Sequence, residues 1–145
     1  MALAMAPQTI VVVDDEDAIC ETLRDVFEEE GFAVEVATNG VDALTLLRAM
    51  QVKPGMVILD LLMPRMDGGA VYAAMKADPT LVDIPVVIST SDPSRAPSGV
   101  LIMRKPVDLD VLLDTVRKTA RAEDGREEVE VNLGDGHVDA DVAKR

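Results

Sequence analysis

An α/β domain built on a parallel sheet covered on both faces is the fold class this sequence predicts, and three observations predict it. Short runs that are apolar at every position alternate with stretches whose apolar residues recur at helical spacing. Strands apolar on both sides belong to sheets sandwiched between helices. The runs TIVVVDDE, GMVILD and VLIMRKP also stop abruptly at carboxylates or a lysine, which sets charge along one rim of the sheet. In open sheets of this kind the ligand site lies beyond the carboxyl ends of the strands. The alternation alone leaves the strand order open.

The elements follow in order. Residues 9–13 read as a buried strand, and 17–30 as a helix with Ile19, Leu23, Val26 and Phe27 on one stripe and Gly31 as the stop. Residues 33–37 form a second strand. Asn39 and Gly40 then open a helix through about residue 50, with Val41, Leu44 and Leu47 inward. Lys53, Pro54 and Gly55 make a turn before the strand 56–59. After Asp67, Gly68 and Gly69 comes a short Ala-rich helix closed near Asp78 and Pro79. Residues 84–89 and 100–103 are further apolar strands. Asp108 caps a last helix, with Leu109, Leu112, Leu113 and Val116 inward to about residue 121.

Composition narrows the function classes. The 145 residues make one domain, 48% apolar but only 2% aromatic, so Val, Leu, Ile, Ala and Met must fill the core. A net charge of −13 with no basic cluster argues against nucleic acid, whose phosphates demand a cationic face. Cys20, the only cysteine, rules out an intramolecular disulfide and reads as a small core filler beside Leu23 and Phe27. The opening MALAMAPQ lacks the basic and apolar regions of a signal peptide, and no run is long enough to span a bilayer. A cytoplasmic location is expected by elimination. Met56, Met63, Met75 and Met103 read as packing residues.

On the rim, Asp14, Asp15 and Asp60 would repel one another unless a cation is shared among them, and a divalent metal together with Lys105 would supply it. Each residue also has a plainer reading. The Asp pair could simply cap a helix, Asp60 could end a strand before an ordinary turn, and Lys105 could be a surface charge.

Taken together, VVVDDE, VILDLLMPRMDGG, IPVVISTS and RKP resemble the receiver domain of two-component response regulators, over residues 9 to about 121. The resemblance implies a flavodoxin-like (CheY-like), doubly wound, five-stranded parallel sheet of order 2-1-3-4-5. It implies a receiver domain over 7–122. Beyond it the composition turns polar and Gly-containing, so 123–145 reads as a mobile acidic tail. There VEVNL could instead be a short strand or partner-docking segment, and the lone His137 reads as solvated and not as a metal or phosphorelay residue. By the same resemblance Asp60 is the phospho-acceptor, served by a sensor histidine kinase or a histidine phosphotransfer protein. Mg²⁺ would be held by Asp14 (through a water), Asp15, Asp60 and the backbone carbonyl of Leu62. Lys105 would pair with Asp60 and then with the phosphoryl group. Thr90, chosen over Ser89 and Ser91 on register, would donate its hydroxyl to a phosphoryl oxygen. The Lys105–Pro106 bond would be cis.

The sequence departs from the family between Thr90 and Lys105. Fourteen residues separate them, and once a last strand is allotted only SDPSRAPSG remains, with two prolines and a glycine. Nine such residues cannot build a helix of ~11 residues and its loops, so the family's fourth helix is expected to be absent or reduced to a turn. Ile102 stands where the family carries a switch aromatic, so the usual Thr-aromatic switch is expected to be absent, and output would come from 91–99 or another face. Leu62 and Asp92 occupy positions that influence dephosphorylation and pull in opposite directions.

The leading expectation is a phosphorylatable receiver, a signalling module rather than an enzyme, with no output domain of its own and a downstream protein target. A receiver-like module working by fixed, phosphorylation-independent contacts is the alternative. An aspartyl-nucleophile phosphatase is remote because Asp14 and Asp15 are adjacent rather than in a D-x-D pattern. No G-x-x-x-x-G-K-[ST] or G-x-G-x-x-G loop suggests a nucleotide.

Overall fold

The computed structural model describes residues 7–123. The expectations for the 123–145 tail, for VEVNL and for His137 therefore lie outside the described residues beyond Glu123, as does most of the opening segment.

Five strands form one parallel sheet: β1 (Thr9–Val13), β2 (Ala33–Ala37), β3 (Met56–Asp60), β4 (Val86–Thr90) and β5 (Leu101–Arg104). Their order is β2-β1-β3-β4-β5, as the resemblance implies. Four helices cover it: α1 (Asp17–Glu29), α2 (Gly40–Ala49), α3 (Gly68–Ala77) and α4 (Leu109–Glu123). Between β4 and β5 stands only a 3-10 turn, Pro93–Arg95. The expected shortening of this connection is therefore real. Its prolines lack the N–H groups that a longer helix would have to donate.

Alternation along the strands divides the core into two layers. Val11, Val13, Val57, Leu59, Ile88 and Ile102 pack against α2 and α3. Ile10, Val12, Ile58, Val87 and Met103 face α1 and α4 through Leu23, Phe27, Leu112 and Val116. Phe27 and Phe32 meet edge to face at 6.4 Å. Cys20 is buried in this second layer, as expected, and burial pushes its thiol up to about 11. Met56, Met75 and Met103 are core residues and Met63 packs on the core from the loop after β3.

Two inward assignments need correcting. Val41 is 43% exposed and Leu109 37%. Both sit in the first turn of their helices, at the edge of the apolar stripe, where the periodicity continues but no opposing layer reaches. Ala43 and Leu112 take the buried positions instead. Strand β4 begins at Val86 rather than at 84, since Pro85 has no N–H for the ladder, although its carbonyl still accepts from Val57 N–H at 2.9 Å.

Candidate functional site

The site is assembled by strand register. Asp14 follows β1, Asp60 ends β3 and Lys105 follows β5, and all three continue the parity of the residues facing α1 and α4. Asp60 is paired with Ser89 on β4, so Thr90 lies one position further and on the opposite parity. Only the ends of the strands converge here.

Geometry concentrates charge at that rim. Asp14, Asp15 and Asp60 each offer a carboxylate oxygen, and these oxygens lie within 4.8 Å of one another. Asp14 and Asp60 are buried at 2% and 4% exposure, while Asp15 is exposed. Lys105 Nζ donates to Asp14 Oδ2 at 3.1 Å and lies 3.4 Å from Asp60 Oδ1 and 3.9 Å from Glu16 Oε1. Burial and the neighbouring charge of Asp14 push the Asp60 carboxyl up to about 6, against the pull of Lys105. Burial opposes the charge on Lys105, but its bond to Asp14 and the charges of Asp14 and Asp60 outweigh this, and its pKa is raised. One lysine thus faces more carboxylate charge than it can balance. An all-oxygen donor set with an exposed side fits a hard divalent cation that keeps waters.

Backbone hydrogen bonds fix these side chains. Asp14 Oδ1 accepts from Glu16 N–H at 2.9 Å, pinning the start of α1, and Asp14 N–H donates to Ala37 O at 3.1 Å. Lys105 N–H donates to Thr90 O at 2.8 Å, and the Lys105–Pro106 bond is cis, as the resemblance implies. Leu62 N–H reaches Asp60 Oδ1 at a long 3.4 Å, and its side chain is 42% exposed. Thr90 is 1% exposed, and its Oγ1 accepts from Asp92 N–H at 3.0 Å, which leaves its own proton free to donate.

Two contributors escaped the sequence reading of the site. Glu16 adds a fourth carboxylate beside Lys105, and the only signal was its place in the acidic run DDED. Gly68 donates its N–H to Leu61 O at 2.8 Å, and a Cβ there would run into the Asp60 carbonyl oxygen and come within 2.9 Å of Leu61 Cα. The signal was DG placed shortly after GMVILD, legible as a turn but not as a backbone-on-backbone contact. Between them Arg65 takes φ 70°, a left-handed conformation rare outside glycine. The turn around it closes with Met66 N–H on Pro64 O at 2.8 Å.

Comparison with known proteins agrees with this geometry. A family model described as the response regulator receiver domain matches residues 10–117. The response regulator MprA of Mycobacterium avium (strain 104) is 31% identical over 140 residues, covering 90% of this chain and 60% of the relative. MprA of Mycobacterium sp. (strain KMS) is 39% identical over 85 residues, covering 59% of this chain and 35% of the relative. The chain thus spans less than two thirds of the length of these curated relatives. Among solved structures, the signal receiver domain of a signal transduction histidine kinase from Syntrophus aciditrophicus superposes with a TM-score of 0.72 at 30% identity. That match covers 85% of this chain and 97% of the other.

Proposed function

This chain belongs to the response regulator receiver domain family of two-component signalling, whose members work with a histidine kinase, and on that premise we propose that Asp60 is its phosphoryl acceptor. The observation that carries the reading is the buried Asp60 carboxylate, set among Asp14, Asp15 and Lys105 at the strand ends.

In this reading an Asp60 oxygen attacks the phosphorus of a phosphohistidine on the donor protein. A P–O bond forms, the P–N bond breaks, and the departing imidazole takes up a proton. Little covalent chemistry is asked of the protein beyond positioning and charge. Asp14, Asp15, Asp60 and the Leu62 carbonyl would hold Mg²⁺, which when bound supplies positive charge against carboxylate repulsion and beside the phosphoryl oxygens. Lys105 follows the charge, from the free carboxylate to the phosphoryl group. Thr90 donates the hydroxyl proton that its bond with Asp92 leaves unused. Downstream signalling then passes by protein contact, through the 91–99 connection or another face. The acidic balance of the chain disfavours nucleic acid as a direct ligand. Among the described residues no helix is long and apolar enough to cross a membrane, and a cytoplasmic receiver fits that reading.

The test is incubation with acetyl phosphate or beryllofluoride plus Mg²⁺, comparing the wild type with Asp60→Ala. The reading expects Mg²⁺-dependent modification that Asp60→Ala abolishes. An unmodified wild type would instead favour a module acting by fixed contacts. The reduced β4–β5 connection and the ring-less Ile102 are the observations on that side.

A further inference from the structure

Over residues 7–119, where side chains are described, almost every lysine and arginine is held by the fold. Arg24, Arg48, Lys105, Arg117 and Lys118 sit in ion pairs, and the other lysines donate to backbone carbonyls. Arg65, Arg95 and Arg104 are the exceptions. All three are exposed, and none makes an ion pair or side-chain hydrogen bond with a described residue. Yet the chain carries 27 acidic residues against 14 basic ones, so a cation without a carboxylate is out of keeping with its surroundings.

The three share one side of the molecule. Arg65 lies on the loop leading into α3, Arg95 ends the 3-10 turn between β4 and β5, and Arg104 ends β5 as the register partner of Thr90. Arg104 continues the parity of Ile102, which belongs to the layer of α2 and α3. The 3-10 turn comes within 8 Å of β5, Cα to Cα. Arg95 and Arg104 thus flank the connection that has no helix. The acids nearest in sequence are engaged, since Asp92 accepts the Ser94 hydroxyl and Asp67 caps α3.

The sequence itself supplies an anion for this face. Residues 124–145 follow α4, and between Arg126 and Lys144 stand Glu127, Glu128, Glu130, Asp135, Asp139 and Asp141 with no lysine or arginine among them. Reach is sufficient. The 15 residues of α4 extend ~22 Å from the rim, whereas twelve extended residues after it span up to ~40 Å. Other described surfaces repel such a segment, as with the exposed Glu21, Asp25 and Glu29 of α1 and Asp110 of α4. Being tethered, the segment needs little affinity, because effective concentrations within one chain reach the millimolar range.

We propose that the acidic segment 127–143 docks on the face formed by Arg95 and Arg104 and covers the 91–99 connection. Docked there, it shields that connection from a downstream protein. The contact does not depend on phosphorylation of Asp60.

The experiment places a nitroxide on the full chain at Val138→Cys and reads amide broadening by NMR without divalent metal. Cys20 is buried and stays unlabelled. The strongest broadening is expected at the amides of residues 94–96 and 101–104. Arg95→Gln and Arg104→Gln should each lower the ratio of docked to free segment by about 2–5-fold, the usual worth of an exposed ion pair. Salt at about 1 M, where the screening length falls to ~3 Å, should abolish the broadening. Lys118→Gln removes a cation already paired with Asp114 and should change nothing. Asp60→Ala should behave like the wild type, so failure of the phosphorylation reading would leave this one standing. Absent or evenly spread broadening, broadening centred on the α1–α4 side, or broadening unmoved by both arginine substitutions would each overturn the docking. So would broadening seen only between nitroxide-bearing and isotope-labelled chains in a mixture, which would make a second copy the occupant.

Discussion

The crossover from β3 to β4 and the crossover from β4 to β5 join neighbouring parallel strands of one sheet, yet they solve the problem differently. The first carries the ten-residue helix α3, capped by Asp67, whose own Val71 and Met75 are buried. The second carries a three-residue 3-10 turn with no buried residue. Ile88 and Ile102, the strand residues this second connection must cover, are nevertheless 0% and 1% exposed. Ala96 packs against the core layer that contains them, and Val100, just before β5, is buried. Beside α2 and α3, this part of the layer is completed by an irregular segment and not by a further helix. What a short connection lacks is a stiff amphipathic element whose tilt could transmit a change at the rim. The acidic rim itself is indifferent to the contrast, because its residues come from strand ends.

The comparison breaks first if the two crossovers tolerate backbone crowding alike. Gly68→Ala puts a methyl onto the Asp60 carbonyl and Leu61 Cα, backbone that cannot swing aside. Denaturant melts should show a loss of about 3 kcal/mol or more, with metal binding impaired as Asp60 shifts. Gly99→Ala, in the second connection, meets nothing within 4 Å and suffers only from its φ of 82°. About 1 kcal/mol is expected there. Equal losses would mean that the second connection is as tightly packed as the first.

Next in size is the charge stored at the end of β3. The Asp60 carboxyl titrates at about 6 in the fold against 3.8 ordinarily, so the folded state holds this proton more tightly than the unfolded chain. The stability it contributes is complete below about 3.8 and is lost as pH rises through about 6. Above that, the charged group costs the fold on the order of 3 kcal/mol. Asp60→Asn should therefore raise the stability of the metal-free protein by about 2–3 kcal/mol near neutral pH and change it little at pH 3–4. Mg²⁺ should stabilise the wild type near neutral pH and not the variant. A variant no more stable than the wild type across that range would show that Lys105 alone balances the rim.

How much of this was legible in the sequence follows the same division. Asp14, Asp60 and Lys105 could be located because an apolar run that stops at a charge marks a strand end, and parity then puts all three on one side. The want of a helix after β4 was legible from Pro93, Pro97 and the residue count. Val41 and Leu109 were not placed correctly, because periodicity gives the direction of a stripe but not how far the opposing layer extends. Lys53 was read only as part of a turn. Its ammonium in fact caps α2 by donating to Leu47 O and Met50 O at 2.8 and 2.6 Å, a contact that depends on how the chain folds back after the helix. Gly68 likewise owes its importance to what lies across from it, which a local pattern cannot supply.

Helix capping sharpens the contrast at about 1 kcal/mol. Asp67 Oδ1 accepts from Ala70 N–H at 2.9 Å at the start of α3. Asp67→Ala should cost about 1 kcal/mol, the usual loss for such a cap. Since α3 begins at Gly68, fraying there should also loosen the contact under Asp60 and slow phosphoryl acceptance.

The smallest effect is expected at Asp92, the corresponding residue of the second connection. Its side chain accepts from Ser94 Oγ at 2.5 Å, an exposed contact within a single turn, and it supports no helix. Asp92→Ala should change stability by no more than about 0.5 kcal/mol, as for surface positions without a buried partner. Its backbone N–H, which holds Thr90 Oγ1, survives the substitution. Amide exchange with and without beryllofluoride then separates two ways of using this segment. If the 91–99 amides gain protection as Thr90 is drawn toward the phosphoryl mimic, the short connection carries the signal without a helix. If their protection is unchanged in both wild type and Asp92→Ala, the connection only covers Ile88 and Ile102, and output must leave by the α1–α4 face or the α3 side.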